Sequence, residues 1–236
     1  MTILNLIPRQ KNCLPYTILL YILSFLTVVP LFMPVVFAHL TEFTRLDLEN
    51  GTTKAYIVIR FLFGLAIILS LFASTVFKHY IFMSIPTVLG AVMAGIKLNH
   101  HIDQYKIHME FAKIMNQPLE NNAVLKNDSI YILMCSLFML LCITTFLYLC
   151  GVPHTAIFVI LFSVTSAIAA AFIIYTEAIT CEIFTENSMA SRLDKFNVVS
   201  FGFSVPLALC PAVIVLNSTT PKTNKTTKYK PKRFKK

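Results

Sequence analysis

Two apolar runs in the second half of the chain decide the fold: residues 130–149 read IYILMCSLFMLLCITTFLYL, and residues 155–176 read TAIFVILFSVTSAIAAAFIIYT. Neither run contains Asp, Glu, Lys or Arg. Each run matches the roughly 20 residues that a helix needs to cross about 30 Å of hydrocarbon. Between them, residues 150–154 read CGVPH and carry the Gly and Pro typical of a tight turn. The two runs therefore predict a pair of membrane-spanning helices joined by a short turn.

Composition extends this interpretation to the whole chain. Hydrophobic residues make up 56% of the 236 residues and charged residues 13%, whereas a soluble domain typically has about 25% charged residues. A water-soluble domain of this length does not bury so much apolar surface. The predicted fold class is all-α: a polytopic integral membrane helical bundle with about six transmembrane helices.

Six apolar runs qualify, or nearly qualify, as spans. The third is short, and only Lys78 and His79 separate it from the second, so these two runs are expected to form a helical hairpin. The predicted spans are residues 14–38, 56–77, 80–96, 130–149, 155–176 and 196–216. They form one transmembrane domain, residues 14–216, between an N-terminal segment, 1–13, and a basic tail, 217–236, that is predicted to be disordered.

A second interpretation concerns the first run. Arg9 and Lys11 precede it, and Val36 and Ala38 suit a cleavage after Ala38, so residues 1–38 resemble a signal peptide. The run is longer than the apolar region of about 7 to 15 residues that such peptides usually have. Cleavage would leave five spans.

Charge is distributed unevenly between the predicted loops. All 11 acidic residues fall in residues 39–54, 97–128 and 177–195, three segments that six spans place on one face. The opposite face carries Arg9 and Lys11 of the N-terminal segment, together with Lys78 and the tail. Because positively charged loops are retained on the cytoplasmic side, both termini are predicted to be cytoplasmic.

One charge lies inside a predicted span. Arg60 is four residues past Tyr56, near the acidic face. It would either contact an anion or headgroup, or extend outward to pair with Glu42, Asp47 or Glu49. The outward orientation is favoured, and on that basis Lys is expected to replace Arg60 without loss.

Residues 99–116 contain three histidines and suggest a metal hypothesis. As a helix this segment has a stripe of opposite charges at i+3 and i+4 spacing, which fits a helix lying on the membrane or on another loop. His101 and His108 would be about 10 Å apart along the axis, too far to bind one ion without other ligands. No catalytic, cofactor or metal site is predicted.

Small residues mark helix faces that permit close approach. Their role is either packing within the monomer, which is favoured, or formation of a homo- or hetero-oligomer. These residues are Gly90 with Ala94, Ala91 with Gly95, and the series Ser163, Ser166, Ala167, Ala170 and Ala171.

The tail has eight basic residues and no acid, which predicts adhesion to anionic lipid headgroups at the cytoplasmic leaflet. Nucleic acid is not an expected partner, because the tail is tethered at a membrane. The lipid-binding candidates are Lys222, Lys225, Lys228, Lys230, Lys232, Arg233, Lys235 and Lys236.

Four N-x-S/T triplets begin at Asn50, Asn127, Asn217 and Asn224. The first two lie on the predicted non-cytoplasmic face, so they are glycosylation candidates if the source is eukaryotic. The two in the tail are not expected to be modified.

No motif names a reaction, and two classes of function remain. The first is a non-enzymatic scaffold, assembly or membrane-organising component. The second is a small transporter or channel that uses the spans kinked by proline. Polar residues lining one shared cavity would favour the second class, and a tightly filled bundle would favour the first.

Overall fold

A computed structural model describes residues 8–11, 13–40, 51–115, 123–180 and 202–219. Its helices are α1 (Leu14–Leu40), α2 (Gly51–Phe77), a short 3-10 helix (Tyr80–Met83), α3 (Ser84–Ile114), α4 (Ala123–Leu149), α5 (Thr155–Thr180) and α6 (Ser204–Leu216). Two short strands, β1 (Arg9–Gln10) and β2 (Ser218–Thr219), flank the helices. The prediction of an all-α helical bundle is confirmed.

Five helical segments are long and apolar enough to cross a membrane: α1, α2, α4, α5, and the 3-10 helix together with α3. α6 is apolar but has only 13 residues, roughly 20 Å at 1.5 Å per residue, against about 30 Å of hydrocarbon. The sixth span was predicted to begin at residue 196, and residues 196–201 lie outside the described part of the chain.

The outer surface of the bundle is also apolar. Phe25, Phe72, Ile157 and Ile168 are each more than half exposed. Soluble monomers rarely expose contiguous apolar patches larger than a few hundred Å². An apolar exterior combined with helices of this length supports a membrane-spanning protein.

α3 differs from the prediction. The sequence predicts a short third span and then a separate polar helix, whereas the structure has one helix of 31 residues. Residues 96–114 contain no Gly or Pro, and most of them tolerate a helix well, so nothing ends the helix where the polarity changes. The helix is about 46 Å long, so its polar half extends beyond the hydrocarbon.

The six α-helices of the described residues form a closed ring. α1 packs against α2 and α6, α6 against α5, α5 against α4, α4 against α3, and α3 completes the ring against α2. α1 supplies Leu20 to the larger core cluster and Leu31 to the smaller one. The apolar run of the segment that one interpretation treats as a signal peptide thus supplies core residues in this structure.

Two tight turns lie where the sequence predicts them. After α4, the N–H of Gly151 donates to the carbonyl of Tyr148 at 2.9 Å, and the N–H of Val152 donates to that of Leu147 at 3.0 Å. This is a Schellman cap, which needs a left-handed residue, and Gly151 has a φ of 82°. The other turn, between α2 and the 3-10 helix, has Lys78 at a φ of 56°.

The two described ends of the chain lie together. β1 and β2 pair in antiparallel orientation, with Arg9 opposite Thr219, and the N–H of Gln10 donates to the carbonyl of Lys78 at 3.0 Å. We call the end of the bundle where β1 and β2 pair the basic end. We call the opposite end, where Asp128 lies, the acidic end. Ser218 and Thr219, which the sequence analysis assigns to the tail, therefore pair with the N-terminal segment. Which end faces the cytoplasm stays a prediction.

Candidate functional site

The basic end is closed by polar side chains around Asn217. This residue follows α6 and has no exposed surface. Its Nδ2 donates to the hydroxyl of Tyr80 at 2.8 Å and to that of Thr17 at 3.1 Å. Its carbonyl accepts from the N–H of Lys11 at 2.7 Å. The side chain of Asn217 thus joins the end of α6 to α1 and the 3-10 helix, and its backbone carbonyl joins it to the N-terminal segment.

Tyr148 at the end of α4 adds a second connection, because its hydroxyl and that of Ser218 are hydrogen-bonded to each other. We call the full set the terminal clasp: Lys11, Thr17, Tyr80, Tyr148, Asn217 and Ser218. Asn217 also begins a glycosylation triplet. Its Nδ2 is the atom that would carry a glycan, and in the folded protein that atom is buried and hydrogen-bonded.

Arg60 has a different orientation from the one predicted. Its side chain is only 6% exposed, and its Nη2 donates to the carbonyl of Pro30 at 3.3 Å. Its guanidinium carbon lies 5.1 Å from the centre of the Phe203 ring. The guanidinium therefore lies inside the bundle instead of extending outward. The acidic partners suggested from sequence lie outside the described residues.

The sequence of α1 explains why Arg60 points inward. In a regular helix the carbonyl of Pro30 would accept from the N–H of residue 34, but residue 34 is also proline and has no N–H. An unsatisfied carbonyl at membrane depth costs several kcal/mol. Arg60 provides the missing donor, so its contact has a structural role.

At the acidic end the polar half of α3 packs against α4. Nδ1 of His108 lies 2.7 Å from Oδ2 of Asp128, and the ring of His101 stacks on that of Tyr131 with centres 4.8 Å apart. Two of the three histidines thus contact α4, which corrects the expectation of a separate helix lying on the membrane. The described residues contain no group of three or more His, Cys, Asp or Glu that could hold a metal ion.

Two cavities lie inside the ring. The first, of about 50 Å³, is lined by residues that include Ser24, Thr27, Thr87, Thr145, Pro86 and Pro211. The second, of about 90 Å³, lies nearer the acidic end, and its polar lining residues are Lys97, His101, Tyr131 and Ser204. The cavities adjoin, because Phe63, Gly90, Phe138 and Leu207 line both.

The hydroxyl groups of the first cavity are mostly engaged within their own helices. Thr27 donates to the carbonyl of Leu23 at 2.8 Å, Thr145 to that of Leu141 at 2.6 Å, and Thr87 also donates to the carbonyl four residues earlier. Because these donors are already satisfied, the cavity presents a largely apolar wall.

A third opening, of about 380 Å³, is a groove on the surface between α3 and α4. It lies outside the ring, at the acidic end. Its walls are Tyr105, Met109, Leu125, Lys126, Ser129 and Ile130.

The small residues divide into an inner and an outer group. Gly90, Ala94, Ser163, Ser166, Ala167 and Ala170 are buried in the bundle. A methyl group added to Gly90 would lie 3.2 Å from Sγ of Cys142, whereas one added to Gly95 would meet nothing within 4 Å. Packing within the monomer therefore uses the inner group, whereas Gly95 faces open space and Ala91 is half-buried.

Most of the remaining predicted sites lie outside the described residues. These are the eight basic residues of the tail and Asn50. Asn127 belongs to the first turns of α4, and its side chain is not described.

Comparison of the chain with protein-family models, with curated proteins and with solved structures finds no match. Function must therefore be argued from the geometry of the bundle itself.

Proposed function

We propose that this protein is a non-enzymatic, multi-pass membrane component that acts as a scaffold, assembly factor or membrane-organising element. The observation that carries the proposal is how fully the ring is packed. The two cavities described inside the ring measure about 50 and 90 Å³, whereas small-molecule pockets typically measure about 300–1,000 Å³. A bundle with so little internal space works through its outer surfaces.

The basic end offers one such surface. Thr219 is fixed beside Arg9, and the first basic residue of the tail, Lys222, follows within three residues. Each basic residue near an anionic membrane surface contributes about 1 kcal/mol of attraction. We propose that both termini are cytoplasmic and that the tail adheres to anionic headgroups of that leaflet.

A peptide covering residues 217–236 tests the tail directly. It should bind vesicles that contain phosphatidylserine, ignore vesicles of phosphatidylcholine, and dissociate as salt rises, because screening shortens the attraction to about 10 Å at 0.1 M. Binding that is equal for both vesicles, or that persists at high salt, would contradict a mechanism based on charge.

The outer face of α3 is a second surface. Ala91 and Gly95 leave room there for a neighbouring helix, as small residues spaced by four do in membrane helix pairs. We propose this face as the site where the chain joins a homo- or hetero-oligomer.

A transporter or channel is the second candidate, and the first cavity is the observation that favours it. Hydroxyl groups from three helices meet there with two prolines, Pro86 in the first turn of α3 and Pro211 inside α6, and helices interrupted by proline commonly line transport sites. The small volume and the internally bonded hydroxyls favour the scaffold instead.

Flux measurements separate the two candidates. Liposomes that contain the full-length protein should leak protons and potassium at the same rate as liposomes without protein. Cross-linking in native membranes should place the chain in a species larger than its 26.7 kDa monomer, and Gly95→Leu should reduce that species. A flux that rises with protein content, and that Gly90→Leu abolishes, would overturn the scaffold proposal.

A further inference from the structure

The small sheet at the basic end brings together basic residues from two distant segments of the chain. β1 pairs with β2 along one edge, and along its other edge Arg9 forms an antiparallel bridge with His79. The N–H of Gln10 donates to the carbonyl of Lys78 at 3.0 Å. The turn between α2 and the 3-10 helix is therefore fixed against β1 by its backbone.

Alternation along β1 directs the basic side chains away from the bundle. Gln10 is half-buried, whereas Arg9 and Lys11 are exposed, and so is Lys78. Residues two apart on a strand share a face and lie about 7 Å apart. Opposite residues of an antiparallel pair also share a face, with Cα atoms about 4.5–5.5 Å apart, so His79 lies beside Arg9. We call Arg9, Lys11, Lys78 and His79 the basic patch.

No carboxylate at this end neutralises the basic patch. The described residues that form the basic end belong to 8–20, 70–90, 142–160 and 208–219, and these stretches contain no Asp or Glu. Like charges that backbone hydrogen bonds hold close together repel one another. Binding of an anion relieves this repulsion, and an anion with more than one negative charge relieves it most. The patch therefore favours a multiply charged ligand.

Lys78 has a backbone conformation that glycine adopts more easily. Its φ is 56°, and the left-handed region is disfavoured for residues that carry a Cβ. Strained residues of this kind cluster at sites that clamp ligands. Glycine would form the same turn without strain but would lack the ammonium group. The presence of lysine here favours a role for its charge.

The surface beside the basic patch is apolar. Phe77 and Val76, which precede Lys78 at the end of α2, are each more than half exposed. Leu14, the first residue of α1, is also more than half exposed. In a membrane, these side chains contact acyl chains while the cations lie at the depth of the headgroups. The ligand that fits this arrangement is a lipid with an anionic headgroup.

We propose that the basic patch binds the headgroup of a lipid that carries phosphomonoester groups, such as a phosphoinositide bisphosphate. A phosphomonoester carries about −1.5 to −2 charges at pH 7 and three acceptor oxygens. The guanidinium of Arg9 matches such a group with two parallel hydrogen bonds, and the ammonium of Lys78 adds a point charge. This site rests on the proposed placement of the basic end at an anionic membrane surface, and it gives that surface a folded site with a preferred lipid.

The test compares ligands of the full-length protein in detergent, with binding measured by microscale thermophoresis. Dioctanoyl phosphatidylinositol bisphosphate should bind about tenfold more tightly than dioctanoyl phosphatidylserine, because the phosphomonoesters add charge-assisted hydrogen bonds. It should also bind about tenfold more tightly than free inositol trisphosphate, which has no acyl chains to bury.

Lys78→Gly separates lipid binding from folding. The variant loses the ammonium group but suits the left-handed turn, so its thermal unfolding should occur at the same temperature as that of the wild type or higher. Its affinity for the bisphosphate lipid should fall about tenfold. His154→Gly is the matched control, because His154 has the same left-handed conformation at this end, with a φ of 65°, and lies outside the patch. That variant should bind the lipid as the wild type does.

A charge in the tail provides a second comparison. Lys235→Gly removes one positive charge outside the patch, so it should weaken the bisphosphate lipid and phosphatidylserine alike, by less than Lys78→Gly weakens the bisphosphate lipid. This difference separates a folded site from general attraction to the basic end.

Three outcomes would overturn the proposal. The first is equal affinity for the two lipids, and the second is a loss in Lys78→Gly no larger than that in Lys235→Gly. The third is inositol trisphosphate that binds as tightly as the bisphosphate lipid, which would indicate a site for a soluble polyphosphate. The peptide of residues 217–236 lacks the basic patch, so failure of the tail proposal in the vesicle experiment is distinguishable from failure of this one.

Discussion

The two ends of the bundle are held together in different ways. At the basic end, neutral hydrogen bonds meet at Asn217, which contacts three other parts of the chain. At the acidic end, separate pairs such as Arg60 with Pro30 and His108 with Asp128 each join two helices, and a cavity lies between them. In a shared network, removing one member weakens the hydrogen bonds of the others, so the changes in stability are coupled. In separate pairs, the loss of one pair leaves the stability contribution of the other unchanged.

The largest effect is expected at the centre of the clasp. Asn217→Ala removes the donor to the buried hydroxyl of Tyr80 and to the half-buried hydroxyl of Thr17, and an unsatisfied buried polar group costs about 1–3 kcal/mol. We expect the free energy of unfolding to fall by about 2–3 kcal/mol. Unfolding of the protein in mixed micelles measures this free energy. Asn99→Ala removes an exposed amide at the acidic end and serves as the control, with a change below about 0.5 kcal/mol.

Arg60 is expected to give the next largest effect. Arg60→Lys should lower the free energy of unfolding by about 1–2 kcal/mol, because Lys lacks the planar fork that reaches the Pro30 carbonyl while lying over Phe203. This replaces the sequence-based expectation that the substitution is harmless.

A double-mutant cycle with Pro34→Ala shows whether the freed carbonyl is the reason. The alanine restores an N–H that can donate to the carbonyl of Pro30, so Arg60→Lys should be less damaging in that background. Equal losses in both backgrounds would mean that Arg60 acts through another contact.

A smaller, local effect is expected at His108. His108→Ala removes the partner of Asp128, which is only 8% exposed, and should lower stability by about 1 kcal/mol. His100→Ala, at an exposed position on the same helix, is the matched control and should change little. The changes in the free energy of unfolding caused by His108→Ala and Asn217→Ala should add in the double mutant. A large departure from additivity would contradict the view that the two ends are stabilised independently.

The helices were predictable because hydrocarbon thickness sets their length and because turns require particular residues. An uncharged apolar run of the length of residues 155–176 predicts a membrane-spanning helix. Gly151 indicates the turn that precedes this run. The change of polarity at residue 97 predicts a boundary, whereas α3 continues through it. Polarity sets the environment of a helix, whereas its end requires a residue that interrupts the backbone pattern.

The candidate sites were harder to predict, because each depends on contacts between distant segments. Pro34 stands four residues after Pro30 in the sequence, and this spacing alone indicates that the carbonyl of Pro30 has no N–H donor within its own helix. Nothing in the sequence identifies Arg60 as its donor, since that depends on how α1 packs against α2. Asn217 likewise appeared to begin the tail, and only the fold brings Tyr80 and Thr17 to it.

The most direct test of the account is which side of the membrane each end faces. In intact cells, a membrane-impermeant maleimide should label Asn50→Cys, Asn122→Cys and Ser188→Cys, placed in the three acidic segments of a chain whose native cysteines are replaced. It should leave Thr226→Cys unlabelled until the cells are permeabilised. The same holds for a chain in which Cys150, which is exposed at the basic end, is the one native cysteine retained. Labelling of Thr226→Cys or Cys150 in intact cells would contradict a basic end that faces the cytoplasm.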